Sequence, residues 1–564
     1  MDKEKLIEEL FEKGILVNKE LLEKGIDPSS IEKIKSEADL IVLNSDYVDV
    51  LKQQTTLVDW YEIDKNRVEA EKDRDDELYQ TQLQHFKQSF LKVESPNFQQ
   101  NQQVSSLEIE LDYSQKSSNF ITTSQPNQAE TKIELSLPNS NINQPSSSIT
   151  IIASYKNIPH KYSIPDFANF FHSRYNFLEG LLRHRQELQG LMAINRILTK
   201  KEKETVSLIG LVEEISETKN GNLIITLEDP TGKIKTIISK NRKEIYSLGK
   251  ELVVDEVIGL IGTCSDKVIF TENIIWPDIP NDHKIIKSEE EEYAIFLSDI
   301  HVGSKLFLKE EFERFLRWIN SSTGNESQRE ISQKVKYIFI AGDLIDGIGI
   351  YPSQEEELAI TDINEQYKEF INLIKQIPID KQIIICPGNH DMIYLAEPQP
   401  AFYLEYAPEL FQLPNVTLIT NPGMVNIGKT KTFSGFDVLL YHGYSFDYYI
   451  ANVESIRNNG GYHRADLIMK FLLKRRHLAP SFKSTPYFPG HQEDSLLIKK
   501  IPDFFITGHI HYSNVANYKG VTMISGSCWQ GKTSFQEKLG HEPEPARVPV
   551  VNLKTREVKI LRFG

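Results

Sequence analysis

Cysteine is almost absent from this chain: three in 564 residues, Cys264, Cys386 and Cys528, far apart and with no CxxC pair. That excludes a disulfide framework and a cysteine zinc site, and it fits a reducing cytoplasm. Long apolar runs are missing too. No stretch reaches the roughly 18 uninterrupted apolar residues of a membrane span, so no membrane association is expected. The charged, amphipathic start MDKEKLIEELFEKG is not that of a signal peptide. Positive charge is scarce, with 64 Lys and Arg against 80 Asp and Glu and a formal net charge of −16. Such a chain is poorly suited to hold DNA through broad electrostatics. Either it does not bind DNA, or metals and a partner supply the positive charge.

What is present falls into five parts. Residues 1–55 read as a small helical module, with Leu6, Leu10 and Phe11 on one face and a turn and cap signal at DPSS. Residues 56–157 open on a mixed-charge run and continue into a stretch where Gln, Asn and Ser supply 27 of the 54 residues from Ser95 to Ser148. That composition buries too little apolar surface to offset chain entropy, and a disordered tether is expected. Residues 158–204 read as helical, with Phe167, Phe170, Phe171, Tyr175, Leu178, Leu181 and Leu182 at helical spacing and Arg and His outside. Residues 205–285 alternate in five short strand-like runs with turns at KNGN and DPTGK, the pattern of a small closed OB-type barrel. Tyr246, Phe270 and Trp276 are its only candidate stacking aromatics, which favours protein docking over single-strand binding. Residues 290–564 alternate buried-strand runs with amphipathic helices, the rhythm of a layered α/β domain.

Five of those strand-like runs end in metal-ligand residue types. They are Asp299-Ile300-His301, Gly342-Asp343, Gly388-Asn389-His390-Asp391, His442-Gly443 and Gly508-His509-Ile510-His511. Carboxylate and imidazole at the carboxyl ends of successive strands converge where open α/β sheets place their sites. Neighbouring glycines let the backbone turn and leave room for a phosphate. Each element alone is weak. Together they hold five of the fourteen histidines, and a structural coincidence is the poorer reading.

The order D-x-H, GD, GNHD, H, GHxH resembles that of the calcineurin-like metallophosphoesterases. With a helical segment and an OB-like barrel ahead of it, the region 160–564 is similar to the small-subunit family of archaeal D-family replicative DNA polymerases. GDLIDGIGIYP, LKRRHLAP and CWQGKTSFQ carry that likeness. The resemblance implies two divalent metals, manganese being favoured and magnesium the alternative. Asp299, His301, Asp343 and His511 would hold the first, and Asp343, Asn389, His442 and His509 the second, so that Asp343 bridges. It implies that His390 protonates the leaving 3′-oxygen as general acid and that Asp346 orients this histidine, with Asp391 a weaker candidate for that job. The activity implied is 3′→5′ exonuclease proofreading of single-stranded or frayed DNA 3′ ends, beside a large polymerising subunit in a heterodimer or larger assembly. No polymerase signature is visible in this chain itself. A non-catalytic scaffold subunit and a free-standing phosphoesterase for small substrates or phosphoproteins are the alternatives.

Two segments need separate readings. Gly526 to Thr533 fits the GxxxxGK[ST] spacing of a phosphate-binding loop, but only 31 residues follow and Trp529 sits badly in such a loop, so coincidence is expected. Lys474, Arg475 and Arg476 form a basic cluster that is either a solvated or partner-facing surface or a guide for the DNA backbone.

Overall fold

The computed structural model describes residues 149–155, 161–489 and 493–564, with two short strands upstream. Those strands, β1 (Leu16–Val17) and β2 (Val42–Leu43), pair in parallel within one unit, Met1–Glu134; a second unit spans Leu135–Gly564. The helices expected in 1–55 and the tether expected from residue 56 otherwise fall outside the described residues.

The expected tether is too long at its far end. Ile149–Ala153 is a strand, β3, antiparallel to Gly423–Ile427, and the Ile149 side chain is buried in the core between two sheets. After it comes α1 (Ile164–Arg183), opened by a Ser163–Asp166 capping box with Pro165 in the first turn, both favourable helix starts. Its buried stripe is Phe170, Arg174, Tyr175, Leu178 and Leu182. Arg174, expected outside, is fully buried because Asp494 Oδ2 meets its Nε at 2.7 Å.

A short helix, α2 (Ile194–Leu198), leads into β4 (Glu204–Glu217), β5 (Leu223–Asp229) and β6 (Gly232–Ile238). α3 (Lys243–Gly249), β7 (Val257–Ser265) and β8 (Val268–Ile275) follow. The strands close as β4-β5-β6-β8-β7, with β6 and β8 the parallel pair. This is the five-stranded barrel read from the alternation. Of the three aromatics counted there, Trp276 is buried, Tyr246 half-buried and Phe270 exposed.

The last domain supplies β9 (Tyr293–Leu297), α4 (Lys309–Ile319), α5 (Glu326–Lys334), β10 (Val335–Ala341), α6 (Ile363–Ile374), β11 (Gln382–Cys386) and β12 (Val416–Leu418). Then come β13 (Gly423–Ile427), β14 (Phe436–Leu440), α7 (Phe446–Asn452), α8 (Glu454–Asn458), α9 (Ala465–Arg475) and β15 (Phe504–Thr507). β16 (Asn514–Tyr518), β17 (Val521–Ser525), α10 (Ser534–Leu539), β18 (Arg547–Asn552) and β19 (Val558–Arg562) complete it. One sheet runs β12-β11-β10-β9-β18-β19 and the other β16-β17-β15-β14-β13-β3.

Side chains alternate across each strand, which fixes the layering. Phe296, Phe339 and Ile384 of the first sheet meet Val438, Phe504 and Ile524 of the second in a shared core. The intervening residues Ile295, Ile338 and Ile383 pack under α4 and α6. Leu439, Phe505 and Met523 pack under α7 and α9. Helices therefore cover two face-to-face sheets, and strands buried on both faces read as unbroken apolar runs. Among the described residues no helix is long and apolar enough to cross a membrane.

The joint between barrel and sandwich corrects one expectation. Arg475 and Arg476 are only 2% and 3% exposed. Arg475 Nε lies 2.8 Å from Glu256 Oε2 at the start of the barrel's β7, and Arg476 donates to the carbonyls of Ile498 and Lys499. Lys474 lies over the Trp276 ring at 3.7 Å, with Glu251 Oε2 3.6 Å away. The basic cluster holds domains together, and its two arginines offer nothing to a phosphate backbone.

Candidate metal centre

β9, β10 and β11 are mutually parallel, as are β14 and β15. Their carboxyl ends deliver all nine candidate side chains to one place. Asp299, His301, Asp343, His509 and His511 stand at φ between 52° and 70°, a left-handed conformation that non-glycine residues seldom adopt outside functional sites. Backbone bonds hold them there: Asp299 N–H donates to Gly342 O at 3.0 Å and Ile300 N–H to Asp343 O at 2.7 Å. The neighbouring glycines make room for carboxylates rather than for a phosphate. A Cβ on Gly388 would meet Asp343 Oδ1 at 2.2 Å, and one on Gly508 would meet Asp299 Oδ2 at 2.5 Å.

Two donor sets result. In the first, His301 Nε2 and His511 Nε2 are 3.0 Å apart, and Asp299 Oδ1 is 3.4 Å from His511 Nε2. In the second, His442 Nε2 is 3.2 Å from Asp343 Oδ2 and 2.9 Å from Asn389 Oδ1, which is 3.0 Å from His509 Nδ1. Asp343 Oδ2 also lies 3.9 Å from His301 Nε2, between the sets.

The outer hydrogen bonds fix which nitrogens face inward. His442 Nδ1–H donates to Ala341 O at 2.7 Å, His301 Nδ1–H to Asp346 Oδ1 at 3.1 Å and His509 Nε2–H to Asp447 Oδ2 at 2.9 Å. A neutral His442 thus turns a bare lone pair toward two oxygens. A proton on Nε2 or a metal ion relieves that repulsion, and the electrostatics show the pull of Asp343 on that position. Burial alone would lower the His442 pKa, but Asp343 pushes it up to about 10. Burial alone would raise Asp343, but His442, His390 and His301 hold it well below the usual carboxylate range. Hard oxygens with imidazoles, oriented from behind by carboxylates and carbonyls, form the donor chemistry of a divalent transition-metal site. Asp299, His301 and His511, and Asp299, Asp343 and His442, are close enough to act as metal-holding groups.

His390 differs in its bonding. Its Nδ1–H donates to the backbone carbonyl of Asp346 at 2.8 Å, and its Nε2 is 4.0 Å from Asp343 Oδ2; burial lowers its pKa. The Asp346 carboxylate, expected on His390, faces His301 instead and also accepts from Gln530 and Gln354. Asp391 makes no bond to His390: its carboxylate accepts from the backbone N–H groups of Asp343, Leu344 and Gly388 and so ties two ligand loops together. Sequence reading missed Asp447, Gln354, Gln530 and Gln536, the last 2.9 Å from His511 Nδ1. None lies in a strand-end motif, so only spacing-independent contact reveals them. The Gly526–Thr533 segment is no phosphate loop, for Trp529 is fully buried in the core beneath α4.

Two layered sheets with Asp, Asn and His at the ends of five parallel strands define a calcineurin-like phosphoesterase domain, and the model of that family matches residues 294–513. The DNA polymerase II small subunit of Methanothermobacter thermautotrophicus is 38% identical over 402 residues, covering 71% of this chain and 80% of that protein. The DNA polymerase II small subunit of Methanocaldococcus jannaschii is 40% identical over 395 residues, covering 69% and 64%. The chain belongs to the family of DNA polymerase II small subunits. Among solved structures, asparaginyl-tRNA synthetase from Pyrococcus horikoshii aligns over 15% of this chain and 21% of its own, at 15% identity and a TM-score of 0.14, too partial a likeness to bear on function.

Proposed function

We propose that this chain is a metal-dependent 3′→5′ exonuclease that proofreads beside a large polymerising subunit. The observation that carries the reading is the convergence of Asp343 Oδ2 and Asn389 Oδ1 on His442 Nε2, at 3.2 and 2.9 Å, a donor set that suits a cation. Asp299, His301, Asp343 and His511 would hold one divalent ion and Asp343, Asn389, His442 and His509 the other, manganese fitting the donors and the family resemblance. Such a pair would supply Lewis acidity that activates water and neutralises charge on a phosphate.

The chain's own residues do the rest. Asp343 spans both donor sets, so its charge fixes their spacing. Asp346 and Asp447 hold the inward tautomers of His301 and His509. His390 is anchored through Nδ1, which leaves Nε2 beside the cluster to deliver a proton to the departing 3′-oxygen. The relatives' description as small subunits supports a large-subunit partner, and the acidic net charge agrees with DNA being held mainly by that partner. A non-catalytic scaffold would leave a fully equipped donor cluster without a purpose.

The test is to incubate the chain with manganese and single strands labelled at either end. Mononucleotides released from the 3′ end are the expected product. Release from the 5′ end, or no cleavage in any divalent metal, overturns the proposal.

A further inference from the structure

Beside the metal centre lies a cavity of about 730 Å³, and one wall of it is unusually apolar. Of the 19 large hydrophobic residues exposed among the described residues, six line it: Ile348, Ile350, Met392, Leu395, Phe535 and Leu539. Exposed apolar surface gathered next to a polar centre marks a ligand site. The wall has an aromatic centre, because the Tyr351 ring stacks on Phe535 at 5.1 Å and 20°, while Phe535 remains 38% exposed. Glu357 locks the pair: its Oε2 accepts from Tyr351 Oη at 2.9 Å and its Oε1 from the Ser534 N–H at 3.1 Å. The Tyr351 ring in turn lies 6.4 Å from the His390 ring.

We propose that the Tyr351–Phe535 wall is a nucleobase shelf that holds the base of the nucleotide whose 3′-oxygen departs. The assignment rests on the exonuclease reading, which puts the leaving oxygen beside His390. The wall's polar side chains are already engaged: the Tyr351 hydroxyl by Glu357, Gln536 by His511 and the Thr533 hydroxyl by the Gln536 N–H. A phosphopeptide, with its polar backbone next to the phosphate, would meet mainly apolar side chains along that wall. A flat π surface fits, and stacking without hydrogen-bond readout accepts every base, as removal of any mismatched nucleotide requires.

The probe is a short single strand carrying 2-aminopurine at its penultimate 3′ position, bound to the full chain in calcium, with cleavage read separately in manganese. Stacking quenches the 2-aminopurine; an otherwise identical strand with the probe placed internally is not quenched. Phe535→Ala should remove the quench and weaken binding about tenfold, within the roughly 5- to 150-fold that one base–aromatic stack contributes. Phe535→Trp should restore both, which separates a lost ring from a damaged α10. Cleavage without penultimate quenching, or quenching unchanged in Phe535→Ala, overturns the shelf and leaves the exonuclease reading standing. Quenching without cleavage keeps a base shelf and overturns the nuclease. Neither signal overturns both.

Discussion

At the candidate ligands, chemistry and backbone strain coincide. Five of them adopt left-handed φ values, each costing about 1–3 kcal/mol, and the cross-bonds between the strand ends make them persist. Asp343 is the residue both donor sets share. Asp343→Asn should therefore abolish nuclease activity and weaken manganese binding at both positions, with thermal stability near wild type in the absence of metal; wild-type turnover in manganese would refute the shared-ligand assignment. His390→Ala should keep its metal, measured by equilibrium dialysis, yet lose about 10²–10⁴-fold in rate. Loss of metal from that variant would make His390 a ligand. These residues were legible in the sequence because strand-end Asp, Asn and His next to glycine form short local motifs. Asp447 and Gln530 were not, since a residue that orients a candidate ligand from 62 positions away, or that ligand's own partner Asp346 from 184, leaves no local trace.

At the scale of elements, α1 and α9 make the joint. Arg174 on α1 and His477 just after α9 both bond Asp494. His477 Nε2–H donates to Asp494 Oδ2 at 2.7 Å while Nδ1 accepts from Ala479 N–H at 2.9 Å, so the folded site has no room for a second proton. Burial lowers the His477 pKa from 6.5 to about 4. Between those values the unfolded chain binds the proton and the folded chain does not, so stability falls as pH drops from about 6.5 to about 4, by on the order of 3 kcal/mol. Melting temperature against pH for wild type and His477→Gln tests this: the variant should be flatter across that window, and parallel curves would contradict it. The strands themselves were readable from their apolar runs. The joint was not, because a basic run at 474–476 looks the same whether it faces water or, as here, a buried glutamate and a tryptophan ring.

For the whole molecule, the edge strand β3 matters. β3 completes the second sheet through Ile149, and Tyr155 N–H donates to Thr420 Oγ1. A chain lacking residues 1–155 should melt at a lower temperature than one lacking only 1–148; equal values would mean that β3 contributes nothing. Charge works at the same scale. Two divalent ions change −16 only to −12, and the buried arginines at the joint add no phosphate contacts. DNA binding by the isolated chain should be weak, and adding the large subunit should both tighten it and steepen its dependence on salt. If the isolated chain binds single strands as tightly and as steeply, the partner is not the source of the affinity.

The first sheet supplies Asp299, His301, Asp343 and Asn389, and the second supplies His442, His509 and His511. Ions held there would act as a clasp across the open rim of the sandwich, adding to the apolar core and to cross-sheet bonds such as His442 Nδ1–H to Ala341 O. Occupancy is then written into the stability of the fold: each tenfold rise in free metal above its dissociation constant adds about 1.4 kcal/mol. On the proposed metal assignment, a melting curve would serve as a metal titration, and a chelator would loosen the sandwich from that rim first.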